Sequence, residues 1–140
     1  MLKFSDANAK LEALYNVPEL QIWLADGRKV YFLDLLSGWS CPSATNCLSK
    51  VIELPTGKKA IKDGPETEFR CFSASQEVMF PGVYKRRKHN YDTLRGLHLN
   101  DMIHRLSQDL PKDLGILRFH VGGDFFNSDY FFAALNIAMM

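Results

Sequence analysis

The chain has 140 residues, enough for one domain and not two. Apolar residues make up 46% and charged residues 24%, which excludes wholesale disorder, a collagen-like repeat and a coiled coil. Seventeen basic and 16 acidic side chains leave a net charge of +1, which argues against broad electrostatic binding to nucleic acid or membrane.

Residues 7–15 place Leu11, Ala13, Leu14 and Tyr15 among polar positions, the pattern of a short amphipathic helix capped by Asp6 and closed by Pro18. The run Leu20 to Ala25 reads as a strand. Asp26-Gly27 reads as a hairpin turn, and Lys29 to Leu36 as the returning strand. Ser37 to Lys50 is rich in Ser, Gly, Pro and Asn and reads as a loop. Val51 to Leu54 and Lys58 to Ile61 flank a Thr56-Gly57 turn and predict a small hairpin. A short helix is predicted over Ser73 to Met79, interrupted by Pro81-Gly82. From Tyr84 onward the chain is helical in character, with two consecutive helices over Asn90 to Leu97 and Asn100 to Leu110; in the second, Met102, Ile103, Leu106 and Leu110 recur at helical spacing. Gly115 to Val121 reads as a buried strand, Gly122-Gly123-Asp124 as a turn, and Asp129 to Met140 as a last helix capped by Ser128. Helix, strand, turn and helix form an α/β crossover, so the last strand needs a parallel partner. Val30 to Leu36 is the best one.

The predicted class is therefore α/β: a short parallel or mixed sheet with flanking helices, in a single domain over residues 1–140. One crossover and one extra strand make a thin architecture, and the last helix ends in an apolar LNIAMM. Either the chain is a fragment of a larger barrel, or a partner chain or second copy covers its C-terminal helix. No stretch of eighteen apolar residues is present, so no membrane span is expected. The N-terminus lacks the apolar core of a signal peptide. The expected location is cytoplasmic.

Three constellations could carry chemistry. Cys41, Cys47 and Cys71 have the spacing C-x5-C-x23-C. An odd count in a non-secreted chain is a poor disulfide framework, so reduced thiols are expected. Thiolates are soft ligands that suit zinc or iron–sulfur clusters. Three Cys holding a [4Fe–4S] cubane leave one iron open to a substrate or cofactor; zinc would need a fourth donor such as His120 or His89. The plainer alternative is three unrelated buried thiols.

The second constellation is His120-Val-Gly-Gly-Asp124 at the end of a strand, where α/β proteins bind ligands. Gly122 and Gly123 let the backbone approach a ligand, and Asp124 can accept from an amine or hydroxyl; alternatively the glycines only make a tight turn that Asp124 caps. Strand alternation puts Leu117, Phe119 and Val121 on one face and Arg118 with His120 on the other, which suggests a polar pocket there. The third is the basic run Lys85 to Lys88 between Tyr84 and Tyr91, either a nucleic-acid grip or a solvated helix face. A dinucleotide fingerprint, a phosphate-binding P-loop and a G-x-S-x-G nucleophile elbow are all absent.

Three motifs together resemble a known family: Cys41-Pro-Ser-Ala-x-x-Cys47, then Asp63-Gly-Pro-x-x-x-Phe-Arg-Cys71-Phe-x-Ala-Ser-Gln-Glu, then Arg118-x-His-x-x-Gly-Asp124-Phe-Phe-x-x-x-Tyr. From about Val30 to the C-terminus the chain is similar to the phage gene-product-88-like family, which places it in the host cytoplasm. The order of motifs also resembles radical S-adenosylmethionine enzymes. There, Cys after the first strand of a barrel bind a [4Fe–4S] cluster, and a Gly-Gly-Glu-like turn after the second strand binds the cofactor's amino group. The resemblance implies a partial (β/α) barrel with a cluster on Cys41, Cys47 and Cys71. It places S-adenosylmethionine against Gly122, Gly123 and Asp124, with Arg118 and His120 facing the same pocket. The Cys spacing departs from the usual C-x3-C-x2-C, and Asp stands where Glu is usual. The alternative function is a small phage protein that binds nucleic acid or a host protein through its basic segment, with structural or zinc-bound Cys.

Overall fold

A computed structural model describes residues 1–140, apart from the side chain of Phe69. The strands are β1 (Ser5–Asp6), β2 (Lys29–Leu33), β3 (Lys50–Glu53), β4 (Lys59–Lys62) and β5 (Leu114–Phe119). The helices are α1 (Ala9–Glu12), α2 (Pro18–Leu24), α3 (Phe72–Met79), α4 (Pro81–Leu94), α5 (Leu99–Asp109) and α6 (Ser128–Met139). Short 3-10 turns cover Ala13–Asn16 and Thr67–Phe69.

The main sheet has the order β1-β2-β5. β2 and β5 run parallel, with Val30 opposite Ile116 and Leu33 opposite Phe119, as the crossover required. β1 pairs antiparallel to β2. β3 and β4 form the predicted hairpin as a separate two-stranded sheet. The molecule is thus a mixed α/β domain with six helices and two small sheets. The three-stranded sheet is open and no barrel closes, so the partial-barrel expectation is corrected.

Helices cover both faces of the sheet. On one face Leu33 and Leu35 pack with Leu94, Met102, Leu106, Tyr130 and Ala133 from α4, α5 and α6. On the other, Val30 and Phe32 pack with Leu11 and Leu24. A third cluster, Leu36, Val51, Ala74 and Tyr84, holds the hairpin against α3 and α4. Each fully buried aliphatic side chain contributes about 1.5–3 kcal/mol by leaving water.

Two expectations fail for the same reason. Leu20 to Ala25 is helical: Pro18 occupies the first turn of α2, where its missing N–H costs nothing. Leu20 and Leu24, four residues apart, turn onto the Val30–Phe32 core while Ile22 and Trp23 face outward. The short apolar run alone could not separate strand from helix. Likewise the helix expected from Asn90 begins at Pro81: α3 does end at Met79, as expected, but the proline opens α4, which runs unbroken to Leu94. At the C-terminal helix Asn127, not Ser128, is the cap; its side chain accepts from the Tyr130 N–H at 2.8 Å. The outer face of α6 leaves Phe131, Phe132, Leu135 and Met139 exposed. Among the described residues no helix is long and apolar enough to cross a membrane.

Candidate functional site

Beyond β2 and β5 the two chains stay paired. The His120 N–H donates to the Leu33 carbonyl and the Leu35 N–H to the Gly122 carbonyl. This brings Asp34 beneath the Gly-Gly turn. Asp34 Oδ1 accepts from the Val121 and Gly122 N–H groups at 2.7 and 3.0 Å. Its Oδ2 accepts from Nε and Nη2 of Arg87 at 3.1 and 3.0 Å. Arg87 Nη1 donates to Glu77 Oε2 at 2.9 Å and to the Ser73 carbonyl at 3.1 Å. The Ser37 N–H donates to Glu77, and Asn90 donates to the Asp34 carbonyl. Asp34, Glu77, Arg87 and Asn90 are all buried. Burial outweighs the Arg87 charge and the Ser37 bond at Glu77, and holds its carboxyl above the usual value.

The glycines fit this network closely. A Cβ on Gly122 would fall 2.4 Å from the Arg87 guanidinium carbon. Gly123 has φ +87, and a Cβ there would fall 2.7 Å from the Leu35 carbonyl oxygen and Ser40 Oγ. On these sides the turn is filled by the protein itself. Asp124 lies at the exposed rim, with its N–H bonded to Ser40 Oγ at 3.0 Å and its own carboxylate accepting from the Phe125 N–H.

Cys41 follows Ser40 directly, so it stands at the same strand ends as Asp124. Its thiol is pushed up chiefly by burial, and the neighbouring Asp124 and Cys71 add to the shift. Cys47 sits at the end of the same loop, where Gly64 packs so closely that a Cβ would overlap the Cys47 carbonyl. Cys71 precedes α3, and its N–H donates to Ser49 Oγ at 3.3 Å. The loop of residues 38–49 and the segment of residues 63–71 are therefore tied together, and all three thiols are free and half-buried. Among the described residues no three His, Cys, Asp or Glu side chains are gathered tightly enough to hold a single metal ion. The two histidines considered as a fourth zinc donor are engaged elsewhere. His120 Nε2 bonds the Tyr130 hydroxyl at 2.8 Å, and His89 Nε2 bonds the Met1 carbonyl oxygen at 2.7 Å.

Arg118 and His120 do not share a pocket. His120 has φ +65, which ends the strand and reverses the alternation after Phe119. Its ring turns among Phe119, Phe125 and Tyr130, and Val121 joins Ile116 on the opposite face. Burial lowers the His120 pKa to about 4, so the ring is neutral at pH 7. Arg118 stays on the Phe32 side, near Asn8 and Gln76. The basic run is divided as well. Arg87 is 2% exposed and turned inward, Lys88 pairs with Asp92, and Lys85 remains exposed, so no continuous basic face forms.

Sequence reasoning missed the buried network. Its one visible signal was Asp34, a lone acid inside the apolar run KVYFLDLL. A carboxylate there must find partners or remain a large penalty. Nothing in the run KRRK marks Arg87 as the partner.

No curated protein and no solved structure matches the chain. A family model described as Gene product 88 matches residues 2–139 and so extends the likeness to the N-terminal helices as well. The chain belongs to the Gene product 88 family.

Proposed function

We propose that the chain is an iron–sulfur protein of the radical S-adenosylmethionine kind, with Cys41, Cys47 and Cys71 as the cluster ligands. The observation that carries this reading is the parallel pairing of β2 and β5. It brings Cys41 and Asp124 to the same strand ends, joined through Ser40. The donor set suits the group: three free thiols on two loops tied to each other. A cubane takes thiolates at its corners, so its ligands stand farther apart than those of a single ion. When bound, the cluster would supply one open iron and reducing electrons.

The chain's own residues do the rest. Asp124, exposed and held at its N–H by Ser40, is placed to accept hydrogen bonds from the cofactor's amino group. The Asp34–Arg87–Glu77 network fixes the turn that carries it. Burial keeps the Cys41 thiol protonated, so binding must release its proton and loading must strengthen as pH rises.

The test is anaerobic reconstitution, with iron and sulfide counted and the visible spectrum recorded with and without S-adenosylmethionine. The reading expects about four irons per chain and a spectrum that shifts with the cofactor. Each Cys→Ser variant should lose the cluster. Full iron in all three variants, or none in the parent chain, refutes it.

A further inference from the structure

Two cavities of about 340 and 250 Å³ adjoin on the Phe32 side of the sheet, and both are walled by Asn8, Gln76 and Val121. They form a cleft between the start of α1, the α3–α4 pair and the end of β5. Their size suits a small molecule better than a polymer.

Apart from the Ser73 hydroxyl, which can donate or accept, the side-chain polar groups left over in this cleft are donors. Lys10 and Arg118 line the first cavity and Arg86 the second. Among the described residues none of the three is ion-paired. Arg118 engages only its Nε, on the His120 carbonyl at 3.3 Å. The Nε of Arg86 is buried without a partner. Gln76 has its oxygen held by Arg87 at 3.4 Å and Asn8 has its oxygen capping α1, so each amide is left with its NH2 end. The acid in the wall, Asp34, has both oxygens engaged by Arg87 and the Gly-Gly turn. A set this rich in cations and donors complements an oxyanion.

The cleft also has an aromatic side. Phe72 lines the first cavity and is 76% exposed, and Phe80 lines the second and is 53% exposed. An exposed ring beside unpaired cations suits a ligand with a flat apolar body and a charged end.

We propose that this cleft binds a small organic oxyanion, a carboxylate or phosphate ester carried on an aromatic ring. Lys10 and Arg118 meet the charge, the Asn8 and Gln76 amides add hydrogen bonds, and Phe72 packs on the ring. No cysteine lines the cleft, so the proposal stands whether or not the chain carries iron.

Titration calorimetry with phenyl phosphate, benzoate and neutral benzyl alcohol tests it. At least one anion should bind and the alcohol should not; the tighter anion identifies the source of the charge. Lys10→Gln with Arg118→Gln should weaken that anion at least about tenfold, and Phe72→Ala should weaken it too. All three residues are exposed, so the variants should keep the parent's circular dichroism. The anion should bind equally to the iron-free and the reconstituted chain, which separates this site from the cluster. The proposal is overturned if neither anion binds at millimolar concentration, if the double variant binds as the parent does, or if the alcohol binds equally well. A single-stranded oligonucleotide that binds more tightly than both anions, and does so through Arg118, overturns the small-molecule assignment.

Discussion

The ends of β2 and β5 and the cysteine-bearing loops lie side by side but are built in opposite ways. Under the strand ends, Asp34, Glu77, Arg87 and Asn90 are buried and bonded to one another or to main chain. In residues 41–71 the thiols are only half-buried, and the Asp63–Arg70 pair stands at the surface with two bonds of 2.6 Å. A buried ionic network costs desolvation but tolerates few alternative arrangements, whereas exposed pairs on loops restrain little. The contrast suggests a division of labour: the network holds the turn bearing Asp124 in one geometry, and the loops leave soft donors reachable.

Arg87→Met should break the comparison most sharply. It leaves the Asp34 and Glu77 carboxylates buried without their cation, and should cost about 3–5 kcal/mol in urea unfolding. Glu77→Gln should cost clearly less, because Arg87 keeps both of its bonds to Asp34. An equal loss in both variants would mean that the Asp34 pair alone does not hold the network.

Acid should act next, through His120. Its folded pKa of about 4 lies below the ordinary 6.5, so the unfolded chain binds the proton first. Stability is full above pH 6.5 and falls as pH drops toward 4, by at most about 3 kcal/mol from this group. His120→Gln should flatten that part of the stability–pH curve; an unchanged slope would show that another group causes it.

Gly123→Ala should cost about 1–3 kcal/mol, because a side chain is strained at φ +87 and would meet the Leu35 carbonyl. The smallest effect belongs to the loops. Arg70→Ala should leave the urea midpoint nearly unchanged, since its pair with Asp63 is exposed. A large loss there would erase the difference between the two regions.

Much of this fold is legible in the residues. The β3–β4 hairpin follows from Pro-Thr-Gly between the runs Val51 to Leu54 and Lys58 to Ile61. The α5 helix follows from the spacing of Met102, Ile103 and Leu106, and the β2–β5 pairing from the crossover logic. The α2 and α4 starts were misread because proline signals both the end of one helix and the first turn of the next, and only packing decides which. At the site, the motifs drew attention to the ends of β2 and β5, which the parallel pairing brings side by side. They missed the left-handed turn at His120, which separates it from Arg118.

By itself the sequence determined most element types (α2 excepted), the parallel strand pair and the family, because periodicity, turn chemistry and motif order can all be read along the chain. Tertiary structure alone decided which charges are buried and which are free. Arg87 and Arg118 are the same residue type, and the sequence marks the partners of neither. One is turned into the core by two carboxylates that approach from 53 and 10 residues away, and the other is left at the rim of a cleft with no counter-charge. Such partners are set by how α3, α4 and the sheet pack, and no local pattern encodes that distance.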